Sequence, residues 1–288
     1  MDIIKAIVFG VVQGITEFLP ISSTAHLKIV PALLHWQEPS AASSAVIQLG
    51  TVAAVLVFFA KDLLQITIGF LKSLTAPKAI PGADADPRRT LEARLGWGII
   101  LGTVPIVVAA LLLKDHIEGD FRSLPVIAGT QIVMALLLYA ADKLSPKTRT
   151  LDSITIEDCV LVGLAQCLSL VPGASRSGST MTGAFFTGLN REAAARFSFL
   201  LSVPATLLAG LFELKDVLKH APVKPGEMQI GTPDLIIATV VAGIVGYASI
   251  AWLLKLLRTQ DTLVFVVYRV LLGVGIFYLL SQHYFGTP

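Results

Sequence analysis

The sequence predicts an all-α, polytopic membrane protein made of two inverted-topology repeats, each a re-entrant helix hairpin followed by three transmembrane helices. Three observations carry this expectation. Apolar residues make up 54% of the 288-residue chain and charged residues only 15%, against roughly 25% charged in ordinary soluble domains, and the mean hydropathy is +0.75. Several apolar runs reach the ~20 residues that a bilayer crossing needs. The order of broken and unbroken runs in the first half recurs in the second. The net charge of +2 gives no footing to nucleic acid as a partner. Cys159 and Cys167 sit in one expected helix with no metal pattern around them, and read as packed free thiols. The first apolar run carries Asp2, Lys5 and Glu17 and no small-residue cleavage site, unlike a removable signal peptide.

The elements follow in order. Residues 1–19 read as a helix stopped near Pro20, and 22–34 as a short second helix with Ser22 or Ser23 as its N-cap. Each arm is too short to span, so together they form a hairpin that enters and returns. Irregular backbone at that depth is tolerated only where protein or a wet cavity surrounds it. Full spans are expected at 43–60, 94–113 (with Pro105 inside) and 124–141, with a Pro/Ala/Asp-rich solvated loop at Ala76–Thr90. The second half gives a broken pair, 155–171 and 177–189, around Pro172-Gly173, then spans near 194–214, 234–257 and 262–281. Trp36, Trp97 and the Tyr284-Phe285 pair read as interface aromatics.

The halves match in letters: Gly10-Val-Val-Gln13 with Gly163-Leu-Ala-Gln166, Pro20 with Pro172 after a one-residue gap, Ala60-Lys-Asp-Leu-Leu64 with Leu214-Lys-Asp-Val-Leu218, and Leu113-Lys114 with Leu254-Lys255. We divide one integral domain, 1–288, into repeats of about 1–142 and 155–284. A hairpin plus three crossings inverts the second repeat. Loop 61–94 carries six Lys/Arg and is expected in the cytoplasm; loop 114–123 carries two against three acidic residues and faces out; loop 142–158 carries three and faces in; loop 215–234, also with three, does not discriminate. Both termini then lie outside, and the hairpin tips meet near the midplane.

Ionisable residues in a lipid-depth run mark a functional site. Gln13 and Glu17 share a helix face at i, i+4. Glu17 reads as a buried structural carboxyl, as a metal ligand with Gln13 assisting through its amide oxygen, or as a general base; hard oxygen donors suit Mg²⁺ or Ca²⁺. Ser22 and Ser23 open a helix whose free amides attract an anion, and a serine there can attack phosphorus if a base takes its proton. His26 follows Ser23 by one turn. In the second break Arg176 needs an anion, either Glu17 or a phosphate gripped by its fork. Ser175, Ser177, Ser179 and Thr180 add hydroxyls, and Gly173 and Gly178 let the backbone approach closely. No P-loop lysine follows, which excludes a nucleotide loop. His35, His116, His220 and His283 read as loop residues, and Arg191 and Arg196 as positive-inside anchors or aids to a diphosphate.

Gln13-Gly-Ile-Thr-Glu17-Phe-Leu-Pro-Ile-Ser22-Ser23-Thr-Ala-His26, together with Pro172-Gly-Ala-Ser-Arg176-Ser-Gly-Ser-Thr180, resembles the two signatures of the bacterial undecaprenyl-diphosphatase family of the bacitracin-resistance type, over essentially the whole chain. The resemblance implies an inner-membrane enzyme that removes the terminal phosphate of undecaprenyl diphosphate and regenerates the lipid carrier for peptidoglycan. It implies dependence on a divalent cation and a site opening to the periplasm. By motif position Ser23 resembles the nucleophile, His26 its acid/base partner and Arg176 the phosphate clamp. The family motif has Glu or Gln, three residues, then Glu; this chain has Gln13 and Glu17, hence one carboxylate. Expected partners are a prenyl diphosphate lipid and membrane lipids, with room for a homodimer. A covalent phosphoserine and attack by a metal-bound water both remain open, as does the choice between Ser22 and Ser23. The rival reading is a polyprenyl-phosphate transporter or flippase, since inverted repeats with broken helices are also the transporter plan.

Overall fold

The computed structural model describes residues 2–75, 90–113, 116–117, 120–219, 222–223 and 226–284. The architecture is all-helical: α1 (Ile3–Phe18), α2 (Ser23–Leu33), α3 (Ala41–Phe58), α4 (Ala60–Thr75), α5 (Leu91–Leu112), α6 (Leu124–Leu144), α7 (Ile156–Gln166), α8 (Arg176–Phe186), α9 (Arg191–Leu218), α10 (Thr232–Leu257) and α11 (Leu263–Ser281). Two short strands, β1 (Glu38–Pro39) and β2 (Glu227–Met228), pair in parallel. Among the described residues six helices, α3, α5, α6, α9, α10 and α11, are long and apolar enough to cross a bilayer. They coincide with the six expected spans. The chain is a multi-pass membrane protein.

The sequence reading omits α4. Ala60–Thr75 continues after a single joint at Phe59 and packs on α5, burying Ile66, with Gly69 close against Glu92. Lys61 and Asp62 looked like a span terminus, but they open a new amphipathic helix. The loop expected at 76–90 lies almost wholly outside the described residues, as do Lys114, Asp115, His220 and Phe285.

Both breaks form for the same local reason. Proline pushes the residue before it out of helical backbone, and Leu19 and Val171, before Pro20 and Pro172, are extended. The chain then swings through a left-handed residue at each cap, Ser22 at φ 75° and Ser175 at φ 69°, with Gly173 at φ 95° helping the second turn.

Each hairpin leans on the opposite half. α1 packs on α10, and α7 on α5. Small residues allow this: a Cβ at Gly10 or Gly14 would strike the backbone of Ala238 or Ala242, and one at Gly163 the backbone of Gly102. In lipid such close backbone contact takes over from the hydrophobic effect as the source of helix association. α3 touches both α9 and α10, and α6 pairs with α11. The connecting segments gather at two ends. At one end Ser40 bonds Met228, Arg122 lies 3.7 Å from Glu227, and the Tyr284 ring tilts against His35. At the other, Arg191 bonds Asp142 (2.8 Å), Arg196 bonds Asp62 (2.8 Å), Arg258 bonds Glu192 (2.8 Å) and Lys143 bonds Asp261 (2.9 Å).

Candidate active site

The two breaks converge. Glu17, near the end of α1, and Arg176, the first residue of α8, form an ion pair through Oε1 and Nη2. The other carboxylate oxygen, Oε2, accepts from the Ser23 hydroxyl at 2.7 Å and from Gln13 Nε2 at 2.7 Å. Arg176 donates its remaining Nη1 to the Thr206 hydroxyl of α9. An acid and a hydroxyl from the first half of the sequence and a guanidinium from the second thus share one buried point. Glu17 and Ser23 are buried, whereas the neighbouring Thr24 is exposed, so the group has one open side.

The tips are built as twins. Ser22 caps α2: its Oγ accepts the Ala25 amide (3.4 Å) and contacts Thr24 Oγ1 (3.0 Å). Ser175 caps α8 with the same bonds, to the Gly178 amide (3.1 Å) and Ser177 Oγ (3.1 Å). Gln13 and Gln166 each lie nine residues before their cap. Superposing the caps sets Gly173, not Pro172, opposite Pro20, so the one-residue gap expected between the halves is not needed. In this register Ser23 stands opposite Arg176, and His26 opposite Ser179.

His26 does not touch Ser23. Its Nδ1 meets the Ser22 carbonyl at 2.7 Å and its Nε2 the Tyr268 hydroxyl at 2.6 Å, with the two rings nearly parallel. A carbonyl only accepts, so Nδ1 carries the proton and, in the neutral ring, Tyr268 donates to Nε2. The base hydrogen-bonded to Ser23 is Glu17.

Several expected phosphate contacts are spent inside the protein. Ser177 Oγ donates to the Leu19 carbonyl (3.0 Å), joining the two breaks. Thr180 Oγ1 donates to the Arg176 carbonyl (2.8 Å) and contacts Ser198 Oγ (2.5 Å), bracing α8 on α9. Gly173 turns its carbonyl away into the protein, and its Cα face abuts Ile127. Ser179 is fully buried, with an unpartnered Oγ among the described residues. Arg191 and Arg196 pair with Asp142 and Asp62 instead; Arg196 lies ten residues, about 15 Å of helix, from Thr206.

Of the oxygens expected to hold a cation, both on Glu17 are engaged and one, on Gln13, is free among the described residues. Gln13 Oε1 is buried without a partner and sits on the residue that bonds Glu17. Among the described residues no three His, Cys, Asp or Glu side chains cluster, so the remaining oxygens would come from hydroxyls and a phosphate ligand. That is a normal Mg²⁺ environment, with one or two carboxylates plus substrate phosphate.

Sequence reasoning missed α11 as a wall of the site. Arg269 and Gln131 are wholly buried behind the breaks, and Tyr268 holds His26. An arginine inside an apolar run is the signal that the lipid-depth rule should have caught.

Residues 6–275 match the family model for the bacitracin resistance protein BacA. Curated relatives named undecaprenyl-diphosphatase include one from Myxococcus xanthus, 53% identical over 98% of this chain and 90% of its own length. Another, from Chloroherpeton thalassium, is 47% identical over 98% of both chains. A third, from Gloeobacter violaceus, is 49% identical over 98% of this chain and 93% of its own. The chain belongs to the BacA bacitracin resistance family.

Proposed function

We propose that this protein hydrolyses undecaprenyl diphosphate to undecaprenyl phosphate and inorganic phosphate, recycling the lipid carrier of peptidoglycan synthesis. The observation that carries the mechanism is the meeting of Glu17, Ser23 and Arg176 at one point. The prenyl chain lies along the apolar helices and the diphosphate enters at the open side beside Thr24. Arg176 exchanges Glu17 for phosphoryl oxygens, gripping them with its planar fork. Glu17 Oε2, already bonded to the Ser23 hydroxyl, takes its proton as Oγ attacks the terminal phosphorus. The new O–P bond forms as the bridging P–O bond breaks, and undecaprenyl phosphate departs. Glu17 passes the serine proton to the departing phosphate oxygen; water then attacks the phosphoserine, giving a proton to Glu17, which returns it to Ser23 Oγ as inorganic phosphate leaves. The helix-start amides around Ser22 and Ser175 stabilise charge in both transition states.

Ser23 is the nucleophile in this reading, because Ser22 is committed as a cap. His26 serves with Tyr268 to fix the start of α2. A divalent cation, Mg²⁺ or Ca²⁺, would be held by Glu17 and Gln13 and would offset phosphate charge. Gly173, Ser177, Ser179 and Thr180 support the phosphate site from behind, and Ser175 caps its second-half side.

We read the halves as inverted repeats within a bacterial inner membrane, with the site opening to the periplasm. The segregation of loops to two ends, as the charge alternation requires, supports this. The site lies within one chain, so pairing of two copies through lipid-facing helices is compatible with it and not needed by it. The test is phosphate release from a prenyl diphosphate by purified protein in detergent, with and without chelator. No release by well-folded protein overturns the phosphatase reading in favour of a transporter, which has no turnover without two compartments.

A further inference from the structure

Arg269 is 0% exposed and lies within the apolar helix α11. Burying a guanidinium at such depth is costly unless its donors are met. Arg269 donates Nε to Gln131 Oε1 (2.8 Å), Nη1 to the Pro20 carbonyl (3.2 Å), and Nη2 to the carbonyls of Gly173 (2.8 Å) and Ala174 (2.9 Å). Gln131 in turn donates Nε2 to the Ile21 carbonyl at 2.8 Å. Among the described residues no carboxylate bonds Arg269, so its charge is met by oxygen dipoles, those of both breaks and that of Gln131.

The peptide plane has a consequence on the other side of those bonds. In a trans peptide the carbonyl and the following N–H point in opposite directions. Ile21 O turned toward Gln131, and Ala174 O turned toward Arg269, therefore send the amides of Ser22 and Ser175 the opposite way. Among the described residues those two amides, and those of Ser23, Thr24, Arg176 and Ser177, donate to no protein group. They are the first amides of α2 and α8, the two helix starts that meet at the Glu17–Arg176 pair.

We infer that Arg269 is a positioning residue for the phosphatase reaction: it holds the Ala174 carbonyl directly and the Ile21 carbonyl through Gln131, and so aims the Ser175 and Ser22 amides at a shared phosphoryl group. This rests on the phosphatase reading above. Arg269 does not touch the substrate; it acts through the peptide groups it holds and through a fixed positive charge behind them. Gly178 is part of the fit, since a Cβ there would come within 2.8 Å of Arg269 Nη1. A lysine could carry the charge but has no planar fork to hold several carbonyls at once.

The test compares R269K, R269A and R176A in detergent with farnesyl diphosphate as the probe, reading kcat and KM separately together with elution and thermal unfolding. R269K is expected to lose about 100-fold in kcat, as for removal of a preorganised oxyanion donor, with KM within about threefold of wild type. Free guanidinium is expected to restore turnover to R269A and methylammonium to restore none. Wild-type kcat in folded R269K, a loss carried by KM alone, or an equal response of R269A to the two cations overturns the inference. Should R269A fail to fold, the kinetics of R269K decide. Full activity in R176A would instead sink the phosphatase site itself, and so separates the two failures.

Discussion

The two hairpins share a backbone and differ in chemistry. Each ends at a proline-marked break, turns through a left-handed serine and restarts under that serine's cap. On this common frame the first hairpin places Glu17, Ser23 and His26, whereas the second places Leu170, Arg176 and Ser179 at the matching positions. One tip carries the acid and the hydroxyl, the other the cation. Neither holds both halves of a phosphate-transfer site, and the ion pair between them is the point where the frames complement one another. Different side chains on two similar tips make one asymmetric centre.

That comparison can be broken most forcefully at its joint. Glu17→Ala and Arg176→Ala are each expected to lower kcat by about 10³-fold or more. Each also leaves an uncompensated buried charge, costing roughly 3–5 kcal/mol of stability. The double variant should recover much of that stability, by thermal unfolding in detergent, while staying inactive. Recovery of activity would mean that the pair is only a brace. Ser23→Ala comes next, with an expected loss of about 10²- to 10³-fold in phosphate release, and no labelled phosphoenzyme after a rapid quench. Near wild-type turnover would remove the covalent route and leave direct attack by water.

A smaller effect sharpens the difference between the tips. Tyr268→Phe removes the hydroxyl that fixes His26 and should lower kcat about tenfold, whereas Ser179→Ala, at the position matching His26, should change it less than about twofold. The smallest effect tests the likeness itself. Ser22→Ala and Ser175→Ala should each cost about 1 kcal/mol as lost caps, and unequal losses would show that the twin geometry hides unequal roles.

Much of this was legible in the letters. Proline marks both breaks, and long apolar runs bounded by charges mark all six spans, because lipid imposes length and polarity rules strong enough to read from one chain. The convergence of Glu17 with Arg176 was legible because each ionisable group needs a partner at that depth. Other features depend on contacts that no local pattern encodes. α4 was hidden by Lys61-Asp62, which mimic a span end. Ser177 and Thr180 look like phosphate donors until the Leu19 carbonyl and Ser198 claim them. His26 looks like the partner of Ser23 by spacing, yet Tyr268, over two hundred residues away, turns its ring elsewhere.

The crossing of α1 on α10 has a consequence for how the chain is made. The glycine face of the first hairpin, at Gly10 and Gly14, is covered by Ala238 and Ala242, residues made more than two hundred positions later. The glycine face of α1 therefore stays uncovered until α10 has been threaded in, although the broken tip gains Gln131, Arg176 and Ser177 before that. A nascent chain truncated before residue 232 would lack the α10 backbone on which Gly10 and Gly14 pack, although the partners of Glu17, at Gln13, Ser23 and Arg176, would already be made.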